Sequence, residues 1–246
     1  MTTWRTEGKG NGLVLVHGAG PGSVTWQDMV SRFTDRYTVI LPDLSGSDPV
    51  ADTGEPLTVA GLTDELATVV EEFGGGPVDV VGHSLGAVVT LSLAATRPDL
   101  VRRAVPVAGC GHTEDAYVQN AMRVWLELLD REETFARFAM LTAFSGAYLN
   151  SLSPEALDEL AAAFRPAGRA RQLELVLRLD IRDLLPRIQA PTLVVGCTQD
   201  ALIPVHLSRE IHAAVPGSSY TELDSGHVAR AERPEELAQL VRDFLA

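Results

Sequence analysis

Ser84 stands in Gly82-His83-Ser84-Leu85-Gly86, directly after the apolar run Val78-Asp79-Val80-Val81 and directly before a helix-like stretch, Ala87 to Thr96, that stops at Arg97-Pro98. The run is short, β-branched and preceded by Gly74-Gly75-Gly76-Pro77, so it reads as a buried strand of a parallel sheet. A turn sharp enough to join that strand to that helix crowds the residues two before and two after the serine, and glycine occupies both places. The expected result is a hydroxyl held exposed at a helix N-terminus, where free backbone N–H groups, that of Leu85 first, can receive an oxyanion.

A serine hydroxyl is a weak nucleophile unless a base takes its proton, and that base must be held in the right tautomer by an acid. Thr192 to Val195 is an apolar strand followed by a loop that contains Asp200, and Ser219 to Leu223 is the next strand, followed by a loop that contains Gly226-His227. The chain order is Ser84, Asp200, His227. Glu114 or Asp115, after the preceding core strand, competes with Asp200 for the acid's place. No group of residues has metal-ligand spacing, and no cofactor is expected.

The elements that must position these residues follow from periodicity. Strands are expected at Leu13 to Val16, Tyr37 to Leu41, Val78 to Val81, Arg103 to Val107, Thr192 to Val195 and Ser219 to Leu223. Helices are expected at Trp26 to Phe33, Val59 to Phe73, Ala87 to Thr96, Leu207 to Val215 and Pro234 to Leu245. This alternation predicts an α/β fold with a mostly parallel sheet covered by helices on both faces, and sites in such sheets gather at the carboxyl ends of the strands. Only twelve residues precede Leu13, so a first antiparallel strand is expected to be missing or very short.

Between about Gly111 and Leu185 the alternation gives way to helical patterns at Ala116 to Leu129, Glu132 to Phe144, Pro154 to Phe164 and Gly168 to Leu179. We read residues 112–185 as a helical cap inserted into a core of residues 1–111 and 186–246. The candidates for substrate contact are His17, Gly18, His83, His112, Trp125 and Phe144. A structural role competes with that reading for His17 and His83, and exposure to solvent competes with it for His112. His206 and His212 fall on a surface helix and receive no role.

The chain has 246 residues, a net charge of −13 and a pI near 4.8. That charge argues against nucleic acid or an anionic membrane as partner and leaves a small-molecule ligand, with a homo-oligomer open. Of the 20 basic residues only Lys9 is lysine. No apolar leader and no run of membrane-spanning length is present in the sequence, so a cytoplasmic protein is expected. Cys110 and Cys197 each follow a glycine in an apolar context and are expected to be buried free thiols.

Taken together, His17-Gly18-Ala19-Gly20, Gly82-His83-Ser84-Leu85-Gly86, Pro191 to Pro204 with Asp200 inside it, and Gly226-His227 resemble the α/β-hydrolase superfamily in order and spacing over nearly the whole chain. The resemblance implies the α/β-hydrolase fold, with Ser84 as nucleophile, His227 as general base and then acid, and Asp200 as the orienting acid. It also implies an oxyanion hole made of the N–H groups of Leu85 and Ala19. The expected activity is hydrolysis of a carboxylic ester, lactone or thioester through an acyl-enzyme. The run His17 to Ser23, with Trp26 beyond it, is also similar to the oxyanion loop of meta-cleavage-product hydrolases. That similarity implies cleavage of a carbon–carbon bond, with Arg123, Arg137 or Arg169 as partner for a substrate carboxylate. Val228 stands where that group usually has tryptophan, and His83 where it commonly has asparagine. A lyase or cyclase using His227 as base, and a ligand receptor with vestigial turnover, are the other readings compatible with the fold.

Overall fold

The structure, a computed structural model, describes residues 3–50, 54–164 and 169–246. The core opens with β1 (Thr3–Gly8), β2 (Asn11–Val16), a single turn α1 (Gln27–Val30) and β3 (Tyr37–Asp43). It continues through α2 (Val59–Phe73), β4 (Val78–His83), α3 (Leu85–Thr96) and β5 (Val101–Val107). The helices α4 (Ala116–Glu127), α5 (Glu132–Ala143), α6 (Gly146–Ser151), α7 (Pro154–Ala163) and α8 (Ala170–Val176) follow. The chain then returns to β6 (Leu193–Cys197), α9 (Val205–Ala214), β7 (Ser219–Leu223), α10 (Ala229–Glu232) and α11 (Pro234–Leu245).

The strands form one seven-stranded sheet in the order β1-β3-β2-β4-β5-β6-β7, in which only β1 runs antiparallel to its neighbour. Successive residues of a strand point to opposite faces, and the core divides accordingly. Val14, Val16 and Val80 pack with Leu62, Leu66 and Leu91 of α2 and α3, whereas Leu13, Leu15 and Val81 pack with Met29, Leu237 and Val241 of α1 and α11. All six residues of β4 are buried, so the strand that carries the serine is fixed from both sides. Among the described residues no helix is long and apolar enough to cross a membrane.

The excursion that holds α4 to α8 leaves and returns through a narrow neck. Thr113 N–H donates to Leu179 O at 3.1 Å, Ile181 N–H donates to Gly111 O at 2.8 Å, and His112 bridges Asp180 in antiparallel register.

Several elements differ from the sequence expectation, among them the short α10, which no expected helix covered. The first antiparallel strand is present at six residues, and its almost wholly exposed side chains explain why no apolar pattern announced it. The helix expected at Trp26 to Phe33 is instead a 3-10 turn (Gly22–Trp26), the short α1, and i+3 turns closing on Arg32 and Phe33. Trp26, Met29, Val30 and Phe33 still reach one face because tight turns bury the same spacing. The helix α6 was not foreseen, having no buried residue to show a period. The helix expected from Gly168 is described from Ala170, and Gly168 itself lies outside the described residues.

Candidate active site

The carboxyl ends of β4, β6 and β7 bring three segments together. At the end of β4, Ser84 adopts φ 57° and ψ −119°, a region that a non-glycine residue enters only when its surroundings force it. The force is the close approach around the turn: a Cβ at position 82 would lie 2.1 Å from Gly86 O, and one at position 86 would lie 2.4 Å from Val16 O. Ser84 N–H is tied to Val107 O at 2.9 Å, and α3 starts at the next residue. Leu85 N–H is therefore one of the amides a helix leaves without an intrahelical acceptor. The loop after β2 closes on the turn from the other side, for a Cβ on Gly18 would stand 3.0 Å from Ser84 Cβ.

Asp200 and His227 meet in the loops after β6 and β7. His227 Nδ1 lies 2.7 Å from Asp200 Oδ2, and both side chains are buried. An ionised carboxylate only accepts, so Nδ1 carries the proton and Nε2 keeps its lone pair. The other carboxylate oxygen, Oδ1, accepts the N–H groups of Leu202 and Ile203 at 2.8 Å each, so the acid is oriented by its own loop. Among the described residues Ser84 Oγ has no hydrogen-bond partner, and contacts of this kind often tighten only with substrate bound. Glu114 and Asp115 stand elsewhere: Glu114 pairs with Arg182, and Asp115 caps α4 and pairs with His206.

The two histidines beside the site serve its frame. His17 Nε2 accepts Leu44 N–H at 3.0 Å, so its Nδ1–H donates to Gly18 O at 2.7 Å. Both nitrogens are used, and burial lowers the imidazole's pKa below its ordinary value. His83 donates from Nε2 to the carbonyl of His227 at 2.8 Å, its ring 4.8 Å from the His227 ring. Burial, with His227 adjacent, holds His83 well below the usual histidine range. The backbone of the site thus claims polar atoms of both rings.

The remaining candidates for substrate contact also separate. Trp125 is buried edge-on against Phe135 and donates from Nε1 to Thr142 Oγ1 at 3.1 Å, which makes it packing between α4 and α5. Phe144 is buried with Met140 and Val228 and stacks on Tyr148, under the corner between α5 and α6. His112 accepts Glu114 N–H and bonds Glu210 of α9. None of the three lines the cavity at Ser84. That cavity, of about 10 Å³, is walled by Leu85 and Val88, by the chain after β5 at Ala108 to Cys110, and by Val176, Leu179 and Ile203. A wider groove of about 520 Å³ runs between α2, α3 and the Asp180 to Leu184 turn, and does not contain Ser84. Cys110 and Cys197 are buried free thiols whose pKa burial pushes up to about 12, which keeps both neutral.

Comparison with known proteins accords with this geometry. A model of the alpha/beta hydrolase family matches residues 13–240. The chain belongs to the alpha/beta hydrolase family. It is 35% identical over 245 residues to the pyrrolizixenacetamide deacetylase of Xenorhabdus hominickii, an alignment covering 97% of this chain and 92% of that one. In fold it is similar to the enol-lactonase of Burkholderia xenovorans LB400, with a TM-score of 0.87, 21% identity, and 99% and 96% of the two chains covered. It is also similar to a thermophilic esterase of Thermogutta terrifontis, with a TM-score of 0.86, 24% identity, and 99% and 92% covered. As an alpha/beta hydrolase the chain is an enzyme of the hydrolase class.

Two residues of this hydrolase that hold the site in place had no signal in the sequence. Glu232 on α10 accepts Gly226 N–H at 3.1 Å and Ser145 N–H at 2.8 Å on one oxygen, and Ser145 Oγ–H at 2.6 Å on the other. A Cβ at position 226 would lie 2.6 Å from Ser145 N, which is why a glycine precedes His227. Gln172 on α8 accepts Gly20 N–H at 2.8 Å and donates to Ser45 O at 3.1 Å. Of the three arginines considered for a carboxylate, Arg123 and Arg137 lie on exposed helix faces. Arg169 is buried against Gly20, its guanidinium over the rings of Phe135 and Phe164, and burial pushes its pKa down to about 10.

Proposed function

We propose that this alpha/beta hydrolase cleaves a carboxylic ester, lactone or thioester of a largely apolar small molecule through an acyl-enzyme on Ser84. The bond from His227 Nδ1–H to Asp200 Oδ2 carries the reading, because an imidazole held in that tautomer offers Nε2 as a base. Ser84 Oγ attacks the carbonyl carbon, His227 takes the hydroxyl proton, and the oxyanion is received by the N–H groups of Leu85 and Ala19. His227 then protonates the leaving atom, and a water repeats the sequence on the acyl-enzyme. Gly20 N–H is already committed to Gln172, which supports Ala19 as the donor from that loop. The likeness to a deacetylase supports acyl transfer. In this reading the ligand is a small molecule, and neither nucleic acid nor a membrane is a partner.

Rapid-mixing hydrolysis of p-nitrophenyl acetate should show a burst of about one equivalent, with an acyl adduct on Ser84 by mass spectrometry. Ser84→Ala should lower kcat by at least about 10⁴-fold. Turnover of a natural substrate that survives Ser84→Ala would replace this reading with lyase or cyclase chemistry on His227. Tight ligand binding with negligible steady-state turnover would make the protein a receptor instead.

A further inference from the structure

We infer that Gln172 is a positioning residue for the transition state, through which α8 sets the direction of the Ala19 N–H. The inference rests on the acyl-enzyme reading above, in which Ala19 N–H receives the oxyanion. How much of the developing charge that amide can hold depends on where it points. Its direction is set by the two peptide planes that meet at the Ala19 Cα.

Both planes are held at their polar ends. The carbonyl of the Gly18–Ala19 peptide accepts His17 Nδ1–H at 2.7 Å. A trans peptide points its N–H and C=O in opposite directions, so this bond turns Ala19 N–H away from His17. Among the described residues that N–H has no acceptor. In the next peptide, Gly20 N–H donates to Gln172 Oε1 at 2.8 Å, and Ala19 O lies 3.5 Å from Arg169 Nη1. The second bond is at the long limit for a hydrogen bond, so Gln172 carries the hold. Gly20 has φ 131°, and a Cβ there would stand 2.7 Å from Arg169 Cζ. The loop therefore lies against the start of α8 with no space for a side chain between them.

Gln172 is fixed in turn. It is fully buried, its Nε2 donates to Ser45 O at 3.1 Å, and a Cβ on Gly46 would lie 2.9 Å from its Cγ. Ser45 N–H donates to Glu65 Oε2 of α2 at 2.9 Å. With an N–H on one side and a carbonyl on the other, the amide has one orientation that satisfies both. The far end of α8 is fastened separately: Val176 O and Leu179 O accept Thr113 Oγ1–H at 2.6 and 3.3 Å, and Thr113 is buried in the neck. Val176, one turn after Gln172, borders the cavity at Ser84, and residues four apart share a helix face. A ligand group that displaces Val176 thus also draws Gln172 from Gly20, which makes the fit of the substrate a condition for stabilising its transition state.

The test uses Gln172→Leu and Gln172→Met, which keep most of the volume and remove both amide bonds. The substrate is p-nitrophenyl acetate, and trifluoroacetophenone, whose hemiketal on Ser84 carries the same oxyanion, serves as transition-state mimic. On protein shown to be folded by thermal melts, each variant should lower kcat about 30- to 100-fold with KM within about threefold of wild type. Inhibition by trifluoroacetophenone should weaken by the same factor. Arg102→Ala, which removes a bond far from this loop, should keep wild-type kcat and inhibition. In the wild type, which needs no variant, hydrogen exchange by NMR should find the Gly20 amide at least about 100-fold slower than the Ala19 amide. A folded Gln172 variant with wild-type kcat, a change confined to KM, an equal fall in Arg102→Ala, or equal exchange at the two amides overturns the inference while leaving the acyl-enzyme standing. Absence of an acyl adduct on Ser84 in the wild type overturns the acyl-enzyme, and the positioning role falls with it.

Discussion

His17 uses both ring nitrogens on backbone groups, and His83 spends its Nε2 on the carbonyl of His227. Two residues that look catalytic thus fix the backbone on either side of Ser84 while staying uncharged, and their burial has a consequence for stability. Both have pKa values lowered from 6.5 in the folded protein, His83 the more strongly. The unfolded chain therefore binds more protons once the pH drops below about 6.5, so stability is complete above that value and declines as the pH falls through the window beneath it. In urea titrations at about pH 7 and about pH 5, His83→Gln should lose less stability between the two than the wild type does. The amide retains a donor for the His227 carbonyl and has no proton to gain. An equal loss in both proteins would remove His83 from the acid response.

The elements around the site act as two clamps. On one side Gln172 of α8 and Arg169 just before it reach the loop after β2, and on the other the corner between α5 and α6 grips the His227 loop through Glu232 and through Val228 N–H on Ala143 O. Ser145 Oγ also accepts Tyr148 N–H at the start of α6, so a single serine joins helix capping to the position of His227. Glu232→Ala would leave the N–H groups of Gly226 and Ser145 and the Ser145 hydroxyl without their acceptor. The expected cost is about 3 kcal/mol by urea unfolding, with kcat falling on folded protein because His227 loses its upstream anchor. Ser145→Ala removes one bond only and should cost about 1 kcal/mol. A Glu232→Ala protein with wild-type kcat would reduce the clamp to packing. The period of α5 was legible in the sequence because Phe135, Ala139 and Met140 repeat on its buried side, whereas the corner that matters holds polar residues with no period to read.

Across the whole molecule, the parallel sheet is both the core and the ruler that sets the distances between Ser84, Asp200 and His227. Asp79 on β4, away from the site, is a fully buried carboxylate bonded to Arg102 of the next strand, Nε to Oδ1 at 2.9 Å, with Arg103 at 4.0 Å. Arg102→Ala leaves that charge largely uncompensated and should destabilise the protein by about 3 kcal/mol in chemical denaturation, with kcat unchanged at temperatures where it is folded. The sequence by itself determined the alternation of strand and helix, the strained serine between its two glycines, and the order Ser84, Asp200, His227. These are local: a period of two or 3.6, a turn residue, a strand that ends in a loop. Only the tertiary structure decided that Trp125 and Phe144 pack between helices and that His17 and His83 bond the backbone, how small the cavity at Ser84 is, and that Glu232 and Gln172 hold the loops around it. Their bonds join residues 87 and 152 positions apart, and which side chains meet over such separations is set by the packing of α8 and α10 against the sheet, for which a linear pattern carries no register.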